Sequence, residues 1–251
     1  ASIKMGSGHV MRCLTLAEAL KRKDTRVEFI CREHEGNLIS LINGKGVIVH
    51  KVPVTYQEKS DSDHSSWLGA TWQEDAKAVQ KVLKKVAADW LVVDHYALDV
   101  QWERQLRPLV KKIMVIDDLA DRRHDCDLLL DQNFYLNKED RYKGLVSEGC
   151  VRLLGPDYAL LREEFSRARK NLKSHSGQIK RILIFFGGSD PSNETGKTLD
   201  AIQQLGNKEL HTDIIIGQSN PNRSALKTQI KSMPNTRIYH QVDNMADFMV
   251  K

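Results

Sequence analysis

The chain is poor in cysteine and has no long apolar run. Its four cysteines, Cys13, Cys31, Cys126 and Cys150, are widely separated among 251 residues and form no Cys-x-x-Cys pair. That spacing favours free thiols in a reducing cytoplasm and gives no support to a zinc site or a disulfide framework. No apolar stretch approaches the ~20 residues that a membrane-spanning helix needs. We therefore expect a cytoplasmic protein without a membrane partner.

The chain also lacks a strong excess of one charge. Lysine and arginine number 38 against 33 acidic residues, and basic side chains are interspersed with acidic ones, as in Lys21–Asp24. Because no basic run is interleaved with aromatic residues on one face, a nucleic-acid partner is not predicted. The net charge of +5 is compatible with an anionic small-molecule substrate. We expect a monomer that acts on such a substrate.

Short β-branched runs alternate with helical periods along the chain. This alternation predicts the α/β class with parallel sheets and crossover helices. The predicted strands are residues 27–31, 47–50, 90–94, 113–117, 128–131, 181–186, 213–217 and 236–240. The predicted helices are 10–23, 36–43, 72–88, 99–111 and a run that ends near residue 205.

A polar stretch with a glycine, Asn171–Gly177, divides the sequence into two parts. We expect a Rossmann-like N-terminal domain over residues 1–170 and a second Rossmann-like domain over 171–251. The second part has about three strands, fewer than a typical sheet. The first part lacks the strand that should precede its first glycine turn. We therefore expect a chain cut at both ends, with the second domain incomplete.

Polar residues follow three of the predicted strands, as Asp94-His95-Tyr96, Asp117-Asp118 and Asp131-Gln132-Asn133. In open α/β sheets, ligands bind outside the carboxyl ends of the strands. These positions could hold a metal, but adjacent side chains such as Asp117 and Asp118 point to opposite sides of a strand. We therefore predict no metal and no other cofactor. The substrate-binding candidates from this group are Asp94, His95, Asp117 and Asn133, and Tyr96 is a further candidate site residue.

The turn Gly6-Ser-Gly8 leads into the first predicted helix and is a candidate anion-binding loop. His9 lies in the first helical turn, where the helix dipole disfavours the protonated imidazole, so the ring is expected to be neutral and available as a base. Arg12 follows on the same helix face and could contact a carboxylate or phosphate. A tight strand–helix turn with a structural histidine is the alternative interpretation.

A second glycine turn, Gly187-Gly188-Ser189-Asp190, follows the strongest predicted strand and precedes Pro191. A proline at a helix start and glycines before it are typical of anion-binding turns. The chain has neither a Walker lysine nor a Gly-x-Gly-x-x-Gly run, which disfavours P-loop hydrolysis and ordinary NAD binding. Two such turns on two Rossmann-like units favour a nucleotide-sugar enzyme.

In combination, these motifs resemble the UDP-sugar hydrolases of pseudaminic acid biosynthesis. The resemblance covers the whole chain and rests on six segments in order: Gly6–Arg12, Val93–Tyr96, Ile116–Asp118, Asp131–Asn133, Tyr158–Phe165 and Gly187–Asp190. It implies a GT-B-like fold with two Rossmann-like domains facing a cleft. It also implies hydrolysis of a UDP-linked diacetamido-trideoxyhexose at the C1–O bond, with inversion and without a metal.

The resemblance also implies roles for individual residues. His9 would be the base or water-positioning residue, and Tyr96 would be a second catalytic residue of the same active site. The turn Gly187–Ser189 would lie towards UDP. Arg162, from the segment Tyr158–Phe165, is a further substrate-binding candidate. Members of the family begin with an additional strand and continue beyond the position of Lys251 to uridine-binding residues. We therefore expect this chain to bind UDP weakly.

Three other functions remain open on the sequence. The first is a GT-B glycosyltransferase that passes the sugar to an acceptor instead of water. The second is a non-catalytic nucleotide-sugar-binding module, in which His9 could be replaced without consequence. The third is a 2-epimerase that hydrolyses UDP-N-acetylhexosamine, which the Gly-His turn and the Tyr158–Phe165 segment disfavour.

Overall fold

The computed structural model describes residues 1–2, 5–55, 67–172, 177–217, 220–240, 242 and 244–251. The chain divides into two compact units, Ala1–Leu160 and Leu161–Lys251. This division precedes the boundary expected after residue 170, because the helix Glu163–Lys170 groups with the second unit. Residues 173–176 of the predicted polar linker lie outside the described residues.

The first unit contains parallel strands in two sheets. A two-stranded sheet pairs β1 with β2, and a four-stranded sheet has the order β3-β4-β5-β6. The strands are β1 Glu28–Arg32, β2 Ile48–Val52, β3 Trp90–Val93, β4 Lys112–Ile116, β5 Leu128–Asp131 and β6 Val151–Leu154. The helices are α1 Gly8–Lys21, α2 Ile39–Gly44, α3 Trp72–Val86, α4 Val100–Leu106 and α5 Lys138–Arg141, with single 3-10 turns at Arg107–Leu109 and Pro156–Tyr158.

Helix α3 shows how local sequence sets one of these elements. Thr71 accepts a hydrogen bond from the backbone N–H of Glu74, and the Glu74 side chain accepts one from the backbone N–H of Thr71, which completes a capping box. Val79 and Leu83, one turn apart, lie on its buried face. Ala87 then ends the helix in the left-handed conformation, with φ of 50°.

The core of the first unit lies between the four-stranded sheet and helices α3 and α4. Its largest fully buried members include Leu106, Ile113, Leu129 and Tyr142. Removing such side chains from water is the main stabilising term of the unit. A rigid sheet therefore carries the loops that follow β3, β4 and β5.

The second unit has a three-stranded parallel sheet in the order β7-β8-β9. Its strands are β7 Arg181–Ile184, β8 His211–Ile216 and β9 Thr236–His240, and its helices are α6 Glu163–Lys170, α7 Glu194–Leu205, α8 Arg223–Gln229 and α9 Met245–Met249. Strand β8 is the central strand and is almost wholly buried. Leu199 of α7 and Leu226 of α8 pack on the sheet and are fully buried.

The prediction of parallel α/β sheets is confirmed, with differences at particular elements. The sequence pattern did not predict β6, and Pro191 does not begin α7, whose first residue is Glu194. All four cysteines are free thiols. Among the described residues, no helix has both the length and the apolar character needed to cross a membrane.

Candidate active site

A polar cluster lies where the N-terminus of α1 meets the carboxyl ends of β3 and β4. Helix α1 supplies His9 and Arg12, the residue directly after β3 supplies Asp94, and the loop after β4 supplies Asp118. The helical spacing of three residues places His9 and Arg12 on one face of α1. The structure thus brings together side chains that are more than eighty residues apart in sequence.

Asp94 is the centre of this cluster. Its Oδ1 lies 2.5 Å from His9 Nδ1 and 2.6 Å from Arg12 Nη2. Its Oδ2 accepts hydrogen bonds from Arg12 Nε at 2.7 Å and from Cys13 Sγ at 3.3 Å. Only 5% of the Asp94 side chain is exposed. The two contacts from Arg12 form the bidentate arrangement that binds a carboxylate most strongly.

Arg12 keeps Asp94 ionised. Burial on its own would raise the pKa of Asp94, but hydrogen bonds from Arg12 and His9 outweigh burial and lower the pKa to about 2. In the same way, burial opposes the charge of Arg12, and Asp94 raises the pKa of Arg12 in spite of it. Asp94 is therefore a carboxylate at every pH at which the protein would work.

An ionised Asp94 fixes the proton position on His9. A carboxylate without a proton can only accept, so the contact between Asp94 Oδ1 and His9 Nδ1 requires an N–H on Nδ1. In the neutral ring, the lone pair then lies on Nε2. Since 14% of the His9 side chain is exposed, the ring is accessible from the adjoining cavity. This arrangement orients a histidine as a general base.

A cavity of about 330 Å³ adjoins His9. It is lined by Met5, Gly8, His9, Arg12, Trp67, Tyr96 and Gln132. The Tyr96 ring meets the His9 ring edge to face, with centroids 4.8 Å apart, and the Trp67 ring lies 6.1 Å from Tyr96. The volume is near the lower end of the range of about 300–1,000 Å³ for small-ligand sites.

Tyr96 is also joined to the charged cluster. Burial, followed by a hydrogen bond and the charge of Asp118, raises the pKa of Tyr96 to about 12. The Asp118 carboxylate lies 3.4 Å from Arg12 Nη1 and accepts a hydrogen bond from Asn133 Nδ2 at 3.3 Å. Tyr96 is therefore a neutral hydroxyl at neutral pH, held between His9 and Asp118.

The prediction that Asp117 contacts substrate is corrected. Its side chain is fully buried and bonds to Arg122, Tyr142 and the backbone N–H of Ala120. The adjacent residue, Asp118, is the one that joins the cluster. The physical reason is the alternation of side chains along an extended chain, which sends neighbours in opposite directions.

His95 stabilises the loop after β3. Its Nδ1 accepts a hydrogen bond from the backbone N–H of Ala97 at 3.0 Å, so the ring is folded back on its own loop. Burial, followed by the charge of His9, lowers the pKa of His95 to about 3. His95 is neutral at neutral pH, and its observed contact is with backbone rather than with the cavity.

The first glycine turn has two different parts. Gly6 adopts a φ of 70°, and its N–H donates to Ser2 O, so Gly6 closes a turn and its N–H is already used. Gly8 is the first residue of α1 and lines the cavity. The first-turn N–H groups of α1 have no partners within the helix and carry partial positive charge. An anion near Gly8 would be stabilised there.

The second glycine turn lies at the carboxyl end of β7, in the second unit. Gly187 and Gly188 are exposed, and Gly187 has a φ of 76°. Ser189 is half-buried, and Asp190 is buried and accepts hydrogen bonds from Glu194 N at 2.8 Å and Thr195 N at 3.0 Å. The carboxylate of Asp190 therefore already occupies the anion-binding end of α7.

Arg162 is also in the second unit. It precedes α6, its Nη2 lies 2.7 Å from Glu164 Oε1, and its guanidinium is 5.4 Å from the Phe165 ring centre.

Five members of the site were not predicted from the sequence: Met5, Cys13, Trp67, Asp118 and Gln132. Gln132 and Asp118 lie inside the motifs at strand ends, so their position after a predicted strand could have identified them as site residues. Cys13 and Trp67 carry no local signal, because their roles depend on contacts across the fold. Within the described residues, no three His, Cys, Asp or Glu side chains are grouped closely enough to hold a metal ion.

Comparisons with known proteins identify relatives along the whole chain. The sequence is 26% identical over 99% of its length to an uncharacterised protein of Methanocaldococcus jannaschii, and it spans 48%, about half, of that relative. It is 28% identical over 99% of its length to the UDP-2,4-diacetamido-2,4,6-trideoxy-beta-L-altropyranose hydrolase of Campylobacter jejuni, covering 78% of that enzyme. No family model matches the chain.

Two further comparisons concern a shorter relative and the fold. The chain is 30% identical to the spore coat polysaccharide biosynthesis protein SpsG of Bacillus subtilis over 104 residues, which is 41% of this chain and 30% of SpsG. The crystal structure of Acinetobacter baumannii MurG aligns with 97% of this chain and 67% of MurG, at a TM-score of 0.56 and 13% identity. The likeness to MurG supports a GT-B-like α/β fold with two Rossmann-like units, as predicted.

Proposed function

We propose that the protein hydrolyses a UDP-linked 2,4-diacetamido-2,4,6-trideoxyhexose at the C1–O bond, releasing UDP and the free sugar with inversion, in sugar biosynthesis. The observation that carries the proposal is the 2.5 Å contact between Asp94 and His9 Nδ1, beside a cavity at a helix N-terminus. The relationship to the Campylobacter jejuni hydrolase supports the choice of substrate.

His9 is the general base in this proposal. Its Nε2 accepts the proton of a water molecule as the water oxygen attacks C1 from the face opposite the leaving diphosphate. The ring becomes an imidazolium, whose Nδ1–H remains bound to Asp94. The carboxylate stabilises the charge that forms on the ring.

The leaving diphosphate gains negative charge as the C1–O bond breaks. The N-terminus of α1, beside Gly8, supplies partial positive charge next to the cavity. Tyr96 positions the sugar by its neutral hydroxyl and its ring.

Release of UDP and of reducing sugar from the UDP-sugar, without any acceptor, tests the proposal. The wild type is expected to release both products in equal amounts. His9→Ala should lower kcat by ~10²–10⁴, the usual contribution of a general base. His34→Ala is a matched control, because His34 does not line the cavity.

The outcomes separate the remaining functions. A glycosyltransferase would release little free sugar until an acceptor is added. A binding module would bind the nucleotide sugar without releasing UDP. Normal turnover by His9→Ala would exclude His9 as the base and contradict the mechanism.

A further inference from the structure

Gln132 lines the cavity beside His9, and the structure fixes the orientation of its amide. The backbone N–H of Leu160 donates a hydrogen bond to Gln132 Oε1 at 3.0 Å. Because an N–H can bond only to the oxygen of the amide, the NH₂ group must lie on the other side. Gln132 is half-buried and lies in the loop that follows β5. Its hydrogen bond with Leu160 therefore holds the NH₂ group of its amide in one orientation.

The contact with Leu160 explains the place of a motif that the mechanism does not use. Leu160 belongs to the segment Tyr158–Phe165, which follows the 3-10 turn Pro156–Tyr158. Its side chain does not line the cavity, but its backbone N–H holds Gln132. Leu160 therefore acts on the site through a hydrogen bond to a side chain of the cavity wall.

Beside the polar side chains of His9 and Arg12, part of the wall is apolar and aromatic. Trp67 and Tyr96 lie 6.1 Å apart between ring centres, and Met5 lines the same cavity. A ligand group that matches this wall must combine a hydrogen-bond acceptor for the amide NH₂ with a small apolar part. An acetamido group has both, as a carbonyl oxygen and a methyl group. A hydroxyl group has no apolar part, and an ammonium group cannot accept a hydrogen bond.

We propose that Gln132 is a specificity-determining residue whose Nε2 donates to the carbonyl oxygen of an N-acetyl group on the sugar, with the methyl group against Trp67 and Tyr96. The proposal rests on the proposed function, because it names a substituent that is recognised at the same site. The group on C2 is the one concerned, since C2 is bonded to C1, the carbon that faces His9. Leu160 acts as the positioning residue for Gln132.

Equilibrium binding of UDP-N-acetylglucosamine and UDP-glucose, by calorimetry, tests this inference. The two probes differ at C2 by an acetamido group against a hydroxyl group. His9→Ala is the parent protein, so that hydrolysis does not disturb the measurement. The parent should bind UDP-N-acetylglucosamine about three- to tenfold more tightly, which is the effect of one net hydrogen bond. In Gln132→Met the preference should fall to about one, with UDP-glucose binding unchanged within a factor of two.

A second variant and a control guard against a folding defect. Gln132→Glu keeps an oxygen for the N–H of Leu160 but removes the donor, so it should also lose the preference. Gln73→Met, at an exposed position of α3, should keep it. A parent that binds the two probes equally or binds neither, or Gln132 variants that retain the parent's preference, would overturn the inference. Hydrolysis without the preference contradicts this inference alone, whereas the preference without hydrolysis contradicts the proposed function alone.

Discussion

Asp94 accepts hydrogen bonds from three side chains of one helix, His9, Arg12 and Cys13. The contacts from Arg12 and His9 favour the ionised carboxylate, and together they overcome the cost of its burial. The same contacts hold His9 at one tautomer. At the scale of single residues, the site is therefore a histidine whose proton position is set by a buried ion pair.

Replacing Asp94 by asparagine tests that statement. Asp94→Asn keeps the size of the side chain but removes the charge that stabilises the imidazolium and selects the tautomer. We expect kcat for UDP release to fall by roughly 10²–10⁴. The buried guanidinium of Arg12 loses its bidentate carboxylate partner and keeps the longer contact with Asp118, so the free energy of unfolding should also fall, by about 2–4 kcal/mol.

The matched control is Asp121→Asn, because Asp121 has 58% of its side chain exposed and pairs with Arg122 outside the cluster. Its kcat should stay within a factor of two, and its stability within about 0.5 kcal/mol of the wild type. Equal losses of kcat in the two variants would contradict the role of Asp94.

The members of the cluster could be predicted from the sequence to different degrees. His9, Arg12, Asp94 and Tyr96 were candidates because helix starts and strand ends meet at one edge of a parallel sheet. Asp117 was the predicted candidate, but the structure buries its side chain and places Asp118 in the cluster, because neighbouring side chains of an extended chain point in opposite directions. The packing of the folded chain decides which of the two side chains points into the core and which points into the cluster.

At the scale of elements, the loop after β3 places Asp94 and Tyr96 on either side of His95. The hydrogen bond from Ala97 N to His95 Nδ1 resembles the turn that an asparagine side chain forms with the second residue after it. Since Nδ1 must be unprotonated to accept this bond, the loop is stable only while His95 is neutral. The stability of the loop is therefore linked to pH.

The pKa of His95 is lowered from 6.5 to about 3. Between these pH values the unfolded chain binds a proton at His95 and the folded protein does not. The contribution of neutral His95 to the free energy of unfolding is fully present above pH 6.5 and is lost as the pH falls from 6.5 towards 3. The slope is at most about 1.4 kcal/mol per pH unit. His95→Asn keeps an acceptor for Ala97 N–H but does not titrate in this range. Urea unfolding between pH 6.5 and 4.5 should show a shallower loss of stability for the variant, and parallel curves would contradict the assignment.

In the second unit, the end of β8 approaches the second glycine turn closely. A Cβ on Gly217 would overlap the backbone carbonyl of Gly188, which cannot move as a flexible side chain could. Gly217→Ala should therefore destabilise the second unit by about 1–3 kcal/mol and displace the turn. Hydrogen exchange of the amides of β8 measures the effect.

Gly149→Ala is the control for this substitution, because a Cβ there has no heavy atom within 4 Å. It should leave exchange in β8 unchanged. If Gly217→Ala also left that exchange unchanged, the close approach of the Gly217 and Gly188 backbones would not affect the stability of the second unit.

Most elements could be predicted from periodicity. Strands β5 and β9 have the predicted bounds, and the other predicted strands differ at their ends by a few residues. Strand β6 was missed because it has only four residues and carries Arg152 at an exposed position, so its pattern is not that of a buried strand. Its pairing with β5 decides its structure, and that contact is not local in sequence.

At the scale of the whole molecule, the parallel sheets and the likeness to MurG support the predicted GT-B-like fold. The fold does not decide between transfer to water and transfer to another acceptor, because function depends on the site. A general base such as His9 can activate either acceptor, so release of free sugar without an added acceptor is the observation that distinguishes the two.

The anomeric configuration of the first sugar released is the most direct test of this account. Proton NMR would follow the UDP-linked diacetamido-trideoxyhexose with the wild type and with His9→Ala, before the free sugar mutarotates. Inverting hydrolysis with His9 as the base predicts that the wild type first releases the anomer opposite to that in the nucleotide sugar, and that His9→Ala releases almost none. Retention of configuration, or the same rate of release without His9, would contradict attack by a water that His9 activates.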